Sequence, residues 1–169
     1  MGDNFVCVGQ KPTRKCPAGD VVGTTSEQTL TNKTLAAGTA VRAPGMVQNV
    51  RVRATAAQVN ATGGLAVLPA LAGYKYRMVD CKMIAVGGAA GGATGVQIKC
   101  DTVLLVDAKV AALGQSVVAR AGDTNVNVLA DGASFATQAA GKSVVVIKDG
   151  SDLTTATHID VILDYVIET

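Results

Sequence analysis

The chain has 169 residues, 49% hydrophobic and 17% charged, which is enough apolar surface for one packed domain with an arm and too much for an intrinsically disordered chain. Val (25), Ala (27) and Gly (19) outnumber Leu (11) and Ile (6), a β-branched and small-residue composition that argues against a helical bundle. Aromatics are 3% with no Trp, His158 is the only histidine and the net charge is +2, so neither the usual acid–base side chains of an enzyme nor the basic, aromatic surface of a nucleic-acid binder is expected.

Residues 1–45 hold the whole charge excess: Lys11, Arg14, Lys15, Lys33 and Arg42 stand against Asp3, Asp20 and Glu27, while residues 46–169 carry ten charges of each sign. No period of 2 or 3.6 runs through this stretch, and Thr, Gly, Lys and Pro interrupt every short apolar pair. It reads as an extended N-terminal arm that becomes ordered by lying on a sister subunit or a partner. Its opening, Met1-Gly2-Asp3-Asn4, lacks a cationic start followed by an apolar stretch, so no secretory signal and a cytoplasmic origin are expected. Ala43-Pro44-Gly45 marks the boundary to a second region, 46–169.

From Met46 onward strand signals follow one another. Val47, Val50 and Val52 alternate with Arg51 and Arg53; Thr55 to Asn60 reads as one helical turn capped by Thr55; Leu65 to Leu68 resumes as strand. Tyr74 to Ala85 is the longest candidate, followed by Val96 to Cys100, Val103 to Val106, Ser116 to Arg120, Val126 to Leu129, Val144 to Lys148 and His158 to Ile167. The result is an all-β chain of roughly eight or nine strands, the density of a sandwich or closed barrel. In the last strand Ile159, Val161, Leu163, Tyr165 and Ile167 form an apolar face, with His158 and Asp160 on the polar one. The charge-free run Met83 to Ile98 is 16 residues with five Gly, too short and too Gly-rich for a membrane helix, and no membrane partner is expected.

Gly87 to Gly95 reads as a hairpin tip whose glycines allow close approach to another backbone. A register pairing Ala85 with Val96 and Met83 with Ile98 places Cys81 opposite Cys100, with Val79 also facing inward. The two cysteines are then either a cross-strand disulfide or a pair of buried thiols, the second being favoured in a cytoplasm. Cys7 and Cys16 bracket a short loop that a disulfide closes only in an oxidising medium.

Other constellations fall short of chemistry. Ala136 to Ser143 ends in Gly141-Lys142-Ser143 like a phosphate-binding loop, but it lacks the first Gly and is followed by Val144-Val145-Val146-Ile147, a strand and not a helix. Asp149-Gly150-Ser151-Asp152 reads as a turn and not a Ca²⁺ loop. The cysteine spacings fit no zinc pair, and His158 beside Asp160 has no nucleophile placed with it. Asn32-Lys33-Thr34 and Asn60-Ala61-Thr62 match the glycosylation sequon, which carries little weight where no secretory signal is expected. No catalytic residue, cofactor or metal is expected.

Two stretches carry a family resemblance. Ser26-Glu27-Gln28-Thr29-Leu30-Thr31-Asn32-Lys33-Thr34-Leu35 resembles a phrase of tailed-phage fibre and virion proteins. Val59 to Gly64, Leu68-Pro69-Ala70, Gly73 to Asp80 and Ala85 to Gly95 resemble small β-sandwich phage proteins, head decoration (cement) proteins among them. That resemblance implies a jelly-roll-like β-sandwich on a virion capsid surface, as a homotrimer whose arm lies across major capsid protein subunits. It also implies that Phe5, Val6 and Val8 anchor the arm while Lys11, Arg14, Lys15 and Arg42 grip an acidic shell. A tail-fibre or head-fibre component in host attachment, with the 87–95 loop as part of its tip, is the alternative.

Overall fold

The computed structural model describes residues 45–169. They form nine strands in two antiparallel sheets: β1 (Val47–Thr55), β2 (Leu65–Leu68), β3 (Lys75–Val86), β4 (Gly95–Cys100), β5 (Val103–Lys109), β6 (Val118–Arg120), β7 (Val126–Asn127), β8 (Val144–Asp149) and β9 (His158–Glu168). One sheet runs β1-β9-β3-β6 and the other β2-β8-β4-β5-β7. With the two-residue β7 set aside, the antiparallel partners are first with last, second with second-last, third with sixth and fourth with fifth. That is one long hairpin rolled into two facing sheets, the topology of a jelly roll.

Alternation sets the faces. In β9, Ile159, Val161, Leu163 and Ile167 are buried, and Tyr165 packs edge-on against Tyr76 with ring centroids 5.8 Å apart. Met83, Ala85 and Met78 of β3 face them from the neighbouring strand, and Val96, Ile98, Val144 and Val146 line the opposite sheet. These β-branched and small side chains pack closely between two pleated surfaces, which is what the composition supplies.

Thr55 caps a short helix, α1 (Ala56–Asn60), as its position before the helical turn predicts. Its hydroxyl accepts from the Gln58 amide at 3.2 Å, and Gln58 Oε1 accepts from the Thr55 amide at 2.9 Å, a reciprocal box that satisfies two otherwise open donors. Val59 drops from this helix into the core. Ala54 to Tyr74, an uncharged run longer than the one at 83–98, thus folds as the end of β1, α1 and β2. Among the described residues no helix is long and apolar enough to cross a membrane.

Several expectations are corrected. Residues 87–94 are not the tip of a hairpin, because β3 and β4 belong to different sheets and the segment crosses between them. Alternation cannot tell these cases apart, since Cys81, Met83, Ala85, Val96, Ile98 and Cys100 point into the core either way. Close backbone approach does occur: a Cβ on Gly88 would lie 2.3 Å from the Thr155 carbonyl oxygen, and one on Gly92 2.4 Å from that of Asp152. Hydrogen bonds from Thr154 N to Gly91 O and from Thr157 N to Val86 O, both 2.9 Å, bind the two loops together. Val79 does not face inward. A bulge between Met78 and Asp80 turns it out to 39% exposure while keeping Met78 and Cys81 buried. The strands expected at 116–120 and 126–129 shrink to three and two residues, the first losing its start where Ser116 takes a positive φ of 61°.

Candidate functional site

The residues singled out as arm contacts, Phe5, Val6, Val8, Lys11, Arg14, Lys15 and Arg42, lie outside the described residues, as do Cys7 and Cys16. The candidate surfaces of the described domain are two: the outer face of the β1-β9-β3-β6 sheet, and a hollow where the two sheets end in β6 and β7.

The outer face is an ionic lattice set by strand register. One row runs Arg53, Asp160, Ile84, Val118; the next runs Arg51, Ile162, Lys82, Arg120; a third holds Asn49, Asp164 and Asp80. Arg53 donates to Asp160 through Nε and Nη2 at 2.7 and 2.9 Å, and Arg51 adds Nη2 at 2.8 Å. The sequence placed Asp160 on an exposed polar face. Its side chain is instead only 2% exposed, because the two guanidiniums lie over it. The hydrogen bond from Arg53 holds this carboxyl well below the usual carboxylate range, against the opposing effect of burial.

A second triad repeats the arrangement. Burial pushes the Asp80 carboxyl up, but Arg120 Nε at 3.1 Å, Lys82 Nζ at 3.2 Å and the Cys81 amide at 2.9 Å outweigh it and leave the carboxyl lowered. Each triad sets two cations against one carboxylate, and Asp164 beside Asp80 offsets one of the two positive charges left over. Arg51, Arg53 and Arg120 remain 62%, 56% and 58% exposed, with donors left to offer to solvent or to an acidic surface.

The hollow has a volume of about 320 Å³ and is open to solvent. Ala111 and Ala112 of a 3₁₀ turn (Val110–Ala112), Val117, Val118, Asp123 and Val126 are among its lining residues. Val117 and Val118 are 51% and 53% exposed, unusual for branched apolar side chains that stand side by side. Asp123 Oδ2 accepts from the Arg120 backbone N–H at 3.2 Å.

Cys81 and Cys100 are buried free thiols in different sheets, paired in register with Leu163 and with Val103 and Val144. Burial pushes the Cys81 thiol up to about 12 and that of Cys100 in the same direction, which makes both poor nucleophiles. Lys142, at the end of the phosphate-loop-like phrase, pairs with Asp101 at 2.9 Å, and β8 follows that phrase. In the 149–152 turn Asp149 lies 3.6 Å from Lys109 and Asp152 pairs with Lys148, so both carboxylates face cationic side chains. The Asn60 amide is engaged with both the N–H and the C=O of Leu153, at 2.8 and 3.2 Å. His158 Nδ1 lies 2.9 Å from the Thr157 hydroxyl. Among the described residues no group of three or more His, Cys, Asp or Glu is placed to hold a metal ion.

Sequence reasoning missed both surfaces. The alternating Arg51 and Arg53 on one strand and Asp160 on another were the available signal for the first, but the pairing of β1 with β9 joins residues about 110 positions apart. The residues lining the hollow all fall between 111 and 126, where strands of three and two residues are too short to show a period.

Fold and surfaces together define an all-β jelly-roll protein whose described part presents surface patches and an open hollow. No protein-family model, no curated protein and no solved structure matches the chain.

Proposed function

We propose that this is a structural virion protein that binds the outside of a tailed-phage capsid and stabilises the shell by clamping neighbouring major capsid subunits. The observation that carries the reading is the jelly-roll order of the two sheets, the fold that the resemblance at 59–95 implies. A shell under internal pressure fails at its seams, and a multivalent clip across a seam needs no chemistry: each contact after the first forms at high effective concentration. The exposed guanidiniums of Arg51, Arg53 and Arg120 add to the cations of residues 1–45 as groups suited to an acidic shell. In this reading the protein acts by binding, with no catalytic step, no nucleic-acid or membrane partner and no cofactor.

The fibre alternative is weaker on one specific ground. It uses the 87–95 loop as a receptor-facing tip, whereas that loop is folded against residues 152–157 and buries Ala90 and Ala93. The deciding measurement is the copy number per purified virion, by gel densitometry against the major capsid protein. Abundance comparable to the shell subunit is expected; a handful of copies favours a fibre component, and absence from the virion overturns the proposal. A chain lacking residues 1–44 is expected to fold and to lose capsid binding, and undiminished binding would remove the arm from the mechanism.

A further inference from the structure

We propose that the hollow at the β6–β7 end of the sandwich receives a lysine side chain of a partner protein, with the alkyl stem over its aliphatic wall and the ammonium on Asp123. The proposal stands apart from the virion reading, since it specifies the side chain that docks and not the particle that carries it.

The wall is built of short aliphatic groups. Ala111 and Ala112 come from the 3₁₀ turn after β5, Val117, Val118 and Ala119 from the approach to β6 and its first residues, and Val126 from the start of β7. None of the described lining residues is aromatic, so the hollow offers contact to methylene groups and no ring to stack on. Its volume of about 320 Å³ lies at the low end for ligand pockets, which suits one long side chain and not a helix.

The charged residue of the lining is Asp123. Its Oδ2 accepts from the Arg120 backbone N–H, and among the described residues no cationic side chain forms an ion pair with it, whereas Asp80, Asp101, Asp107 and Asp160 each hold one. The Arg120 guanidinium adds only a longer-range attraction, because its Nε is turned to both Asp80 oxygens at 3.1 Å.

These two features select the occupant. An apolar side chain would fill the wall but strip water from Asp123 without replacing it, and an acidic one would be repelled. A side chain that is aliphatic for most of its length and cationic at its tip satisfies both wall and carboxylate. Lysine fits better than arginine: the Arg120 N–H already sits on Oδ2, which leaves Oδ1 clear for a point-like ammonium, whereas a guanidinium fork takes both oxygens.

The test is amide chemical-shift mapping on the ¹⁵N-labelled full chain, titrated with acetyl-Gly-Lys-Gly-amide and with the same peptide carrying norleucine, which keeps the stem and lacks the charge. The lysine peptide is expected to shift amides between residues 111 and 126, with half-saturation at roughly 10 mM. The norleucine peptide is expected to bind roughly three- to fivefold more weakly. Asp123→Asn, whose side-chain oxygen still accepts from the Arg120 N–H, is expected to bring the lysine peptide down to the norleucine value. Ala111→Trp, at an exposed position, is expected to block both peptides by filling the hollow, with thermal melting as the check that each variant folds. No shift at 111–126 up to roughly 50 mM overturns the proposal. Equal binding of the two peptides also overturns it, since the hollow would then be an apolar hole to which Asp123 contributes nothing, and so does lysine binding that Asp123→Asn leaves unchanged.

Discussion

Asp160 and Arg53 face each other in register across β9 and β1, joined by two hydrogen bonds of 2.7 and 2.9 Å that close the carboxylate off from water. The fork geometry fits a carboxylate bidentately, and Arg51 occupies the side that remains. The acid is covered by its own counter-charges and not by apolar packing, so most of its cost of burial is met locally.

The pH dependence follows from that arrangement. Asp160, Asp80 and Glu168 all have carboxyls held below their ordinary values in the folded chain, Glu168 by the Thr137 hydroxyl first and Arg77 second. A lowered folded value means that the stabilisation is present above the unfolded carboxyl value, near 4, and is lost as pH falls through the folded value. Melting temperature is therefore expected to be flat between roughly pH 5 and 7 and to fall below about pH 4. Asp160→Asn is expected to cost about 2 kcal/mol at neutral pH and to flatten the acid limb. Parallel melting curves for the two proteins across the acid range would show that Asp160 does not carry the effect.

The thiols offer a second check. With Cys81 buried and its thiol pushed up to about 12, and Cys100 buried in the opposite sheet, alkylation of the native protein followed by peptide mass spectrometry is expected to leave both unmodified. Both should react fully in denaturant. A label on either cysteine in the native chain would contradict their burial in the core.

Gly92 and Gly122 separate backbone strain from crowding. Both have positive φ, 86° and 90°, but a Cβ on Gly92 would meet the Asp152 carbonyl oxygen at 2.4 Å while one on Gly122 meets nothing within 4 Å. Gly122→Ala is expected to cost about 1 kcal/mol from conformation alone. Gly92→Ala adds a forced movement of the 152–157 loop and is expected to cost roughly 3 kcal/mol or more. Equal losses in chemical denaturation would mean that the two loops are not clamped together.

In the core, Leu163 is 1% exposed at the centre of β9. Leu163→Ala is expected to cost between about 2 and 5 kcal/mol, and Leu163→Asp to abolish folding because it buries a charge with no partner. Circular dichroism of the second variant that matches the unmodified chain would show the β9 register to be wrong.

Local pattern carried a good share of this fold. Leu65–Leu68, the capped turn at Thr55 and the alternation of β9 were all legible, because strand faces and helix caps are decided by neighbours in sequence. What failed was assignment to a sheet. The inward residues of β3 and β4 read the same for a hairpin and for a crossing between sheets, and only the pairing of β9 between β1 and β3 distinguishes them. The burial of Asp160 depended on that same pairing and was hidden for the same reason. The hollow was illegible because the stretch that lines it, 111–126, holds strands too short to show a period, and the arm contacts lie outside the described residues.

The central place of β9 also has a consequence for biogenesis. Since β9 lies between β1 and β3, a chain emerging from the ribosome presents two strands of that sheet, with their apolar faces, before the strand that joins them exists. The sheet closes only once residues about 110 positions downstream of β1 have been translated, so docking of β9 is a late event of high contact order. Until then the nascent polypeptide depends on the speed of elongation, or on a chaperone, to keep β1 and β3 from pairing with another chain.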